Sequence, residues 1–436
     1  MKSRMIFVEL NEFNRDLLAD AADALSLKNL QRVLSLNESK TFTQDQYESD
    51  FLEPWVQWVS VHTGSPSSSH QIKHLGDVPG LLNKQIWEDL SSRGVSSGVW
   101  GSMNASRGSA ENNRFFLPDP WTYSETAYPE KLNSLLGLAR YLSKNYLNLS
   151  KSEIIRRSAS LLKFLAQSGC ASSIVAELPQ LVLNLKKFHG EHFVFICLLD
   201  YISTLLFLQY RAEYQTDFSV LFLNSLAHVQ HHHWHSKIPY QDNLRIAYCL
   251  RYLDRGFGHV FSQMGLEDTL VVTNALSQKN TDAEKPWILY RQKDQTRFLK
   301  RLGVNFSKVE PHMTHDAHIF FDNPESRARA VEILTKARVG DSSLFLVDEY
   351  VEDPLKIFYR IIFFDEAADD ALFTAPGHLF KFREEFEAIV RRTGKHIQEG
   401  RILSSERFLP NELMNNELYQ HVVRFFEKGK QSVDQT

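Results

Sequence analysis

The chain has 436 residues, of which 43% are hydrophobic and 23% charged, as in globular proteins with a large core. Its formal net charge of −4 does not favour nucleic acid, so no nucleic-acid partner is expected. The three cysteines, Cys170, Cys197 and Cys249, lie far apart in the sequence. This spacing predicts reduced thiols and a cytoplasmic location rather than a disulfide framework.

One apolar segment is long enough to raise the question of a membrane. The amino-terminal MKSRMIFVELNEF is interrupted by Glu9 and Glu12, so no secretion signal is expected. Phe193–Tyr210 is longer, but it carries Asp200 near its middle, where a carboxylate is costly in a bilayer. The segment therefore predicts a buried or membrane-touching helix rather than a span, and a peripheral membrane contact stays open.

The first third of the chain alternates between strands and helices. Met5–Leu10 is a predicted buried strand, Asn11–Asn14 the turn after it, and Asp16–Leu25 an amphipathic helix. Glu53 is the predicted N-cap of a helix at Trp55–His62, because Pro54 suits the first helical position. Three further segments complete this part: a strand at Ser39–Gln44, a strand at Val95–Trp100, and a long polar loop at Ser102–Pro120.

The middle of the chain breaks this alternation. Ser124–Gln215 has almost only helical spacing and is interpreted as an inserted helical cap. The strand at Val220–Leu223 then leads into five histidines within eight positions, and Thr269–Thr273 is a strand that ends at Asn274. His228, His231, His232 and His235 fall on one helical face.

The carboxyl-terminal part predicts further strands and two helices, Pro324–Ala337 and Lys381–Arg392. The recurring strand-then-polar-turn pattern predicts a mostly parallel central sheet with helices on both faces, a three-layer α/β/α fold. We expect core segments at 1–123 and 217–436, the helical cap at 124–216, and a small α+β subdomain near 285–365.

Four segments resemble the alkaline phosphatase superfamily, and within it the type I phosphodiesterase/nucleotide pyrophosphatase group. They occur in the family's order: MIFVELNEFNRDLL, PWVQWVSVHTGSPSSSH, FLNSLAHVQHHHW with TLVVTNALSQ, and TGKHIQEGRIL. Together they cover about a sixth of the chain. The resemblance implies an alkaline phosphatase-like fold and, in the family, two zinc-like ions beside a Ser or Thr nucleophile.

Carried over position by position, most of the family's site residues have changed. The first-strand Asp becomes Asn11, and the nucleophile falls at Glu53 or Pro54. Ala227 replaces the Asp four residues before His231, and Asn274 with Ala275 replace an Asp-His pair. Of the ligands, His231 and His396 are kept. Two imidazoles without a carboxylate make a weak site, so at most one divalent ion, Zn or Mn, is expected.

Candidate site residues follow from this alignment and from the polar strand ends. The candidate catalytic residues are Glu53, His231, Asn11 and Asn274. The candidate substrate-binding residues are Gln278, Lys279, Arg107 and His62. The candidate metal ligands are His231, His396 and His228, which sits one turn before His231.

Three functions remain compatible with the sequence. The first is a divergent hydrolase or transferase of the superfamily, acting on a small-molecule or glycan phosphate ester, or on a sulfate ester, through a rebuilt site. The second is an inactive protein that binds a phosphorylated or glycan ligand. The third is a scaffold that docks a partner or a membrane through the helical cap. The polar residues at the strand ends favour the first.

Overall fold

The structure is a computed structural model, and it describes residues 3–46, 52–145, 149–285, 287–311 and 315–433. The chain forms two compact units. The first unit comprises Met1–Leu138, Arg156–Asn280 and Gly394–Thr436, and the second comprises Ala139–Ile155 and Thr281–Thr393.

The strands in chain order are β1 (Arg4–Leu10), β2 (Asn37–Phe42), β3 (Ser97–Trp100), β4 (Asn113–Leu117), β5 (Phe218–Leu223), β6 (Asp268–Thr273), β7 (Ser277–Asn280), β8 (Trp287–Gln292), β9 (Lys308–Pro311), β10 (Asp316–Phe320), β11 (Arg338–Val339), β12 (Ser342–Ser343), β13 (Phe345–Glu349), β14 (Lys356–Ile361), β15 (Leu372–Ala375), β16 (His378–Lys381), β17 (Phe386–Arg392), β18 (Gly394–Ile397), β19 (Glu399–Ser404) and β20 (Glu412–Met414).

The helices are α1 (Arg15–Ala24), α2 (Lys28–Leu34), α3 (Pro54–Thr63), α4 (Ser67–His70), α5 (Ile86–Ser92), α6 (Asn133–Asn145), α7 (Lys151–Ala166), α8 (Ala171–Lys187), α9 (Phe193–Tyr214), α10 (Ser225–His233), α11 (Leu244–Gln263), α12 (Gln295–Arg301), α13 (Pro324–Thr335), α14 (Phe382–Glu385) and α15 (Leu418–Val433).

The first unit is built on an eight-stranded sheet with the order β20-β2-β19-β6-β1-β5-β3-β4. Strand β19 is antiparallel to both of its neighbours, and the other neighbouring pairs are parallel. This confirms the predicted mostly parallel sheet. Such a sheet is buried on both faces, which explains why β5 is a continuous apolar run without alternation.

Helices cover both faces of this sheet. On one face, Ile6, Val8 and Leu10 of β1 join a core that includes residues of α1, α9 and α11. On the other face, Phe218 of β5 packs against Phe7 and against Phe426 of α15, with ring centroids 5.8 and 6.0 Å apart. Successive residues of a strand point to opposite faces, so β1 contributes to both cores. The predicted three-layer arrangement is therefore confirmed.

The described part of the predicted helical block contains α6 to α9. Helix α9 lies deep in the core of the first unit, where Cys197, Leu206 and Phe207 are fully buried. By length and composition α9 is the one described helix apolar enough to cross a membrane, and 61% of its most apolar window is buried in protein. An extensively buried helix of this kind is also expected in a large soluble core.

The second unit contains three small sheets, β13-β14-β10-β9, β12-β11-β15-β16 and β17-β8. The predicted helix at Lys381–Arg392 is wrong: the segment forms one helical turn, α14, and then strand β17, which pairs with β8. Phe386 is fully buried and packs against Phe298, and Glu387 is paired with Arg291 across the strands. These long-range contacts outweigh the local helical spacing.

Candidate metal centre

The candidate site lies at the carboxyl-terminal edge of the central sheet. Strand β1 pairs with β5 on one side and with β6 on the other. The chain therefore leaves these three adjacent strands at a common edge, the position where open α/β sheets bind ligands. Asn11 and Glu12 follow β1, helix α10 follows β5, and β7 follows β6.

Three side chains bring metal-ligating atoms together at this edge. Oε2 of Glu12 lies 2.8 Å from Nε2 of His231 and 2.9 Å from Nε2 of His396. The two Nε2 atoms are 3.2 Å apart. Among the described residues, these three form a group with the donor atoms and the spacing of a metal site.

The outer nitrogen of each imidazole is held by the backbone. Nδ1 of His231 donates to the carbonyl of Gly394 (3.1 Å), and Nδ1 of His396 donates to the carbonyl of Leu52 (3.0 Å). A carbonyl oxygen can only accept, so Nδ1 carries a proton in both rings. Both Nε2 atoms therefore face the carboxylate of Glu12. Outer-shell contacts of this kind orient the histidine ligands of protein metal sites.

Glu12 is fixed by amide donors on both of its oxygens. Asn11 Nδ2 donates to Oε1 (2.9 Å) and Gln278 Nε2 donates to Oε2 (2.6 Å). Gln230 Nε2 donates to the Glu12 carbonyl (2.8 Å), and the residue has a φ of +54°. Left-handed backbone is uncommon for a residue with a side chain, and such strain clusters at functional sites. The turn thus places the Glu12 carboxylate within hydrogen-bonding distance of both histidine rings.

Strong electrostatic coupling accompanies this geometry. Burial by itself would raise the pKa of Glu12, but the charges and hydrogen bonds of His396 and His231 hold that pKa well below its usual range. Burial would lower the pKa of His396, yet the Glu12 carboxylate, followed by Glu53, raises it to about 10. The cluster is therefore a place where positive charge is stabilised next to a buried carboxylate.

The donor set fits one divalent cation. A tetrahedral Zn²⁺ site with bonds of about 2.0–2.1 Å has ligand atoms about 3.3 Å apart, close to the separations found here. Two imidazoles and one carboxylate are also the protein ligands of several catalytic zinc sites, which leave a fourth position open. The expectation of two imidazoles without a carboxylate is thus corrected, because the carboxylate of Glu12 lies beside both rings.

Glu53 lies on the outer side of His396. Its Oε2 is 3.3 Å from Nδ1 of His396, and its side chain is 20% exposed, whereas those of Glu12 and His396 are almost fully buried. Glu53 is the N-cap of α3 without a side-chain capping bond, and Pro54 occupies the first helical position. The Glu53 carboxylate therefore contacts the His396 ring and also reaches the surface.

Asn274, which was carried over from the family, serves as a support. Asn274 donates from Nδ2 to the carbonyl of Phe13 (2.7 Å) and accepts from the backbone N–H of Arg401 (2.8 Å). It therefore fixes the turn that carries Glu12 rather than contacting the cluster. Lys279 is exposed and pairs with Lys395 across β7 and β18. It follows Gln278 on the strand and so points to the opposite face.

Three other predicted site residues contact groups outside the three-residue cluster. The guanidinium of Arg107 lies 4.0 Å from the ring centroid of Tyr128, near β4 at the edge of the sheet. His62 is buried and binds Oε1 of Glu9 at 2.6 Å. His228 packs its ring on His232, with centroids 4.6 Å apart, and is not part of the three-ligand group.

The residue missed by sequence reasoning is Glu12. The family motif drew attention to Asn11, the position aligned with the first-strand Asp, and the acid one residue later was read only as an interruption of an apolar segment. A polar turn directly after a buried strand was the available signal, because side chains at that point reach the ligand-binding edge.

No protein-family model and no curated protein matches this chain. Solved structures similar to it include phosphonoacetate hydrolase from Sinorhizobium meliloti 1021, with 15% identity, 98% of this chain and 96% of that chain covered, and a TM-score of 0.47. Human ectonucleotide pyrophosphatase/phosphodiesterase 5 gives 10% identity, coverage of 97% and 95%, and a TM-score of 0.46. A mutant of the alkaline phosphatase PafA gives 10% identity, coverage of 98% and 96%, and a TM-score of 0.47.

These three structures belong to the alkaline phosphatase superfamily, the family that the four sequence segments resemble. At these identities and TM-scores, the activities of the three proteins cannot be transferred to this chain. What the site does must follow from its own residues.

Proposed function

We propose that the chain is a metal-dependent hydrolase of phosphate esters that uses a single divalent ion held by Glu12, His231 and His396. The observation that carries this proposal is the convergence of three ligand atoms, each oriented by a further hydrogen bond, at the ligand-binding edge of the sheet. A structural ion pair would not need two imidazoles whose Nε2 atoms face each other at 3.2 Å.

Each of the chain's residues has a distinct role in this proposal. Glu12 supplies the anionic ligand, and the amides of Asn11 and Gln278 hold both of its oxygens in place. The backbone carbonyls of Gly394 and Leu52 keep the two histidines with Nε2 turned inward. A bound divalent ion would supply Lewis acidity, lowering the pKa of a water and polarising a phosphoryl oxygen.

Glu53 is the proposed proton acceptor. It is the carboxylate that both contacts a ligand histidine and is partly exposed, so it can receive a proton from a water at the rim of the cluster. Its hydrogen bond to His396 also helps to fix that ring. Glu53 is also at the N-terminus of α3, where the helix dipole favours a negatively charged group.

Metal analysis combined with substrate screening tests the proposal. Purified protein is loaded with Zn²⁺ or Mn²⁺, its metal content is measured, and turnover is tested on aryl phosphate monoesters, diesters and an aryl sulfate. One ion per chain and turnover that depends on His231 are expected, with His228→Asn as the matched histidine control, because His228 lies one turn away on the same helix. Metal binding without turnover of any ester would favour the inactive ligand-binding protein, and no metal binding would overturn the proposal.

A further inference from the structure

Helices α8 and α9 form an antiparallel hairpin on the first unit. At its closed end the rings of Phe188 and Phe193 pack edge to face with centroids 4.9 Å apart. At its open end Cys170 Sγ lies 3.3 Å from Oε1 of Gln209. Residues at equal distances from the closed end therefore lie side by side, which brings Val182 level with Leu199.

The outer surface of this hairpin is unusually apolar. Six large hydrophobic side chains are between 43% and 60% exposed: Val175, Leu178, Val182 and Leu183 of α8, and Phe195 and Leu199 of α9. We call these six residues the hairpin patch. Val175, Leu178 and Val182 follow steps of three and four residues and so form one stripe along α8. Helix α8 thus presents apolar side chains outward as well as towards the core, where Ile174 is buried.

The charges around the hairpin patch are predominantly positive. The hairpin's four carboxylates are engaged. Glu177 pairs with Arg255 and Tyr252, and Glu191 pairs with Arg245. Asp200 accepts from the backbone N–H groups of Asn224 and Ser225, and Glu213, at the far end of α9, lies 3.9 Å from Lys131.

Lys186 and Lys187 are exposed at the end of α8, and in the part of the chain that the structure describes neither forms an ion pair. Lys186 is four residues after Val182 and so continues the apolar stripe. The patch is therefore apolar with a basic end, on a chain whose net charge is −4.

We infer that the hairpin patch binds an anionic lipid surface. Apolar side chains on an interfacial helix enter the acyl boundary, while lysines extend their ammonium groups to the headgroups. An anionic surface complements the two exposed lysines, and a second copy of the same basic patch would not. This lipid binding does not depend on the metal centre. It would hold the protein at a membrane surface without a membrane-spanning helix.

Vesicle co-sedimentation tests this inference with the full chain. The protein is mixed with phosphatidylcholine vesicles, with and without 30% phosphatidylglycerol as the anionic lipid, at low and at high salt. Binding to the anionic vesicles alone, weakened by salt, is the expected result. Because each lysine near an anionic surface contributes roughly fivefold to affinity, Lys186→Glu combined with Lys187→Glu should weaken binding by about 20-fold or more.

Apolar variants inside and outside the hairpin distinguish binding by the hairpin patch from non-specific hydrophobic adsorption to vesicles. Val182→Ser combined with Leu199→Ser should lower vesicle binding about tenfold or more, whereas Leu82→Ser should leave it unchanged, because Leu82 is an exposed leucine outside the hairpin. All these positions are exposed, so the fold is expected to persist, and circular dichroism checks this. Equal binding to neutral vesicles, no binding to either, or a dimer that the Val182/Leu199 variant dissociates in light scattering would each overturn the inference.

Discussion

Oε2 of Glu12 lies 2.9 Å from Nε2 of His396, although the two residues are 384 positions apart in the sequence. Glu12 comes from the turn after β1, and His396 from β18, which reaches the site through its pairing with β7. The centre is thus assembled from distant parts of the chain, with His231 of α10 as its third residue.

Glu12→Gln should abolish tight metal binding. The substitution keeps the size of the side chain but removes the anionic ligand, and even outer-shell changes weaken metal affinity by about 10–100-fold. We therefore expect the dissociation constant for Zn²⁺ to rise at least 100-fold in isothermal titration calorimetry. Glu38→Gln, on β2 and paired with Arg15 and Arg401, serves as the control. Unchanged affinity in Glu12→Gln would show that the three-residue cluster does not hold the ion.

The raised pKa of His396, about 10, adds a pH dependence to this experiment. At pH 7 the ring carries a proton that the entering cation must displace. We expect the heat of Zn²⁺ binding to vary with the ionisation enthalpy of the buffer, indicating proton release. We also expect the affinity to increase as the pH rises from 6 to 9. A buffer-independent heat would mean that no proton is released.

Glu53→Gln distinguishes a proton acceptor from a residue that only orients His396. As an outer-shell contact, Glu53 should change the Zn²⁺ dissociation constant by at most about 100-fold, so saturating metal can restore occupancy. If the carboxylate accepts the proton in hydrolysis, turnover at saturating Zn²⁺ should still be lower than that of the wild type by about 100-fold or a larger factor.

Two other results would change this interpretation. Full recovery of turnover at saturating metal would assign Glu53 a positioning role only. Tighter binding of inorganic phosphate by the variant, without turnover in either protein, would identify the carboxylate as an anionic plug, because the substitution removes a like charge.

The sequence predicted the architecture of the sheet and two of the three residues in the candidate metal cluster. Buried strands such as β1, β5 and β6 are visible as apolar runs followed by polar turns, and the parallel sheet places those turns at one edge. His231 and His396 were predicted as ligands from the resemblance to the family, and the structure brings both into the three-residue cluster.

The third residue, Glu12, depended on contacts that local patterns do not encode. Asn11 and Glu12 are adjacent, and only the backbone conformation at Glu12, with a φ of +54°, decides which of them faces the histidines. Similarly, His228 and His231 share a helical face in the sequence, but only His231 faces Gly394, while His228 packs on His232. Strand β17 was mistaken for a helix because its partner β8 lies almost 100 residues earlier.

Asn11→Asp tests why an amide occupies the family's acidic position. Asn11 Nδ2 donates to Glu12 Oε1 at 2.9 Å, so an aspartate would bring two buried carboxylates into contact. We expect the free energy of unfolding in EDTA to fall by about 3 kcal/mol, as for other uncompensated buried charges, and Zn²⁺ to recover part of the loss. Asn323→Asp is the control, since it caps α13 and aspartate caps equally well. Unchanged stability in EDTA would argue against this contact.

His70 provides a pH-dependent contribution to stability away from the metal centre. It is buried, its Nδ1 accepts from the backbone N–H of Ile72 (3.1 Å), and its Nε2 lies 3.0 Å from Ser60 Oγ. Burial, only partly opposed by the charge of Asp45, lowers the pKa of His70 to about 4. The unfolded chain has the ordinary value of about 6.5 and so takes up the proton first as the pH falls.

The sign of the effect follows from these two pKa values. Above pH 6.5 the ring is neutral in both states, and the contribution to stability is fully present. Between pH 6.5 and 4 the unfolded state is increasingly protonated, so up to about 3 kcal/mol is lost, at about 1.36 kcal/mol per pKa unit. His70→Asn does not titrate, and its Oδ1 can still accept from Ile72. In urea unfolding, the wild type should therefore lose more stability than the variant as the pH falls from 7 to 4. His233, whose pKa burial also lowers to about 4, is present in both proteins and cancels. A difference between the two proteins that does not change with pH would show that His70 is not held neutral by the fold.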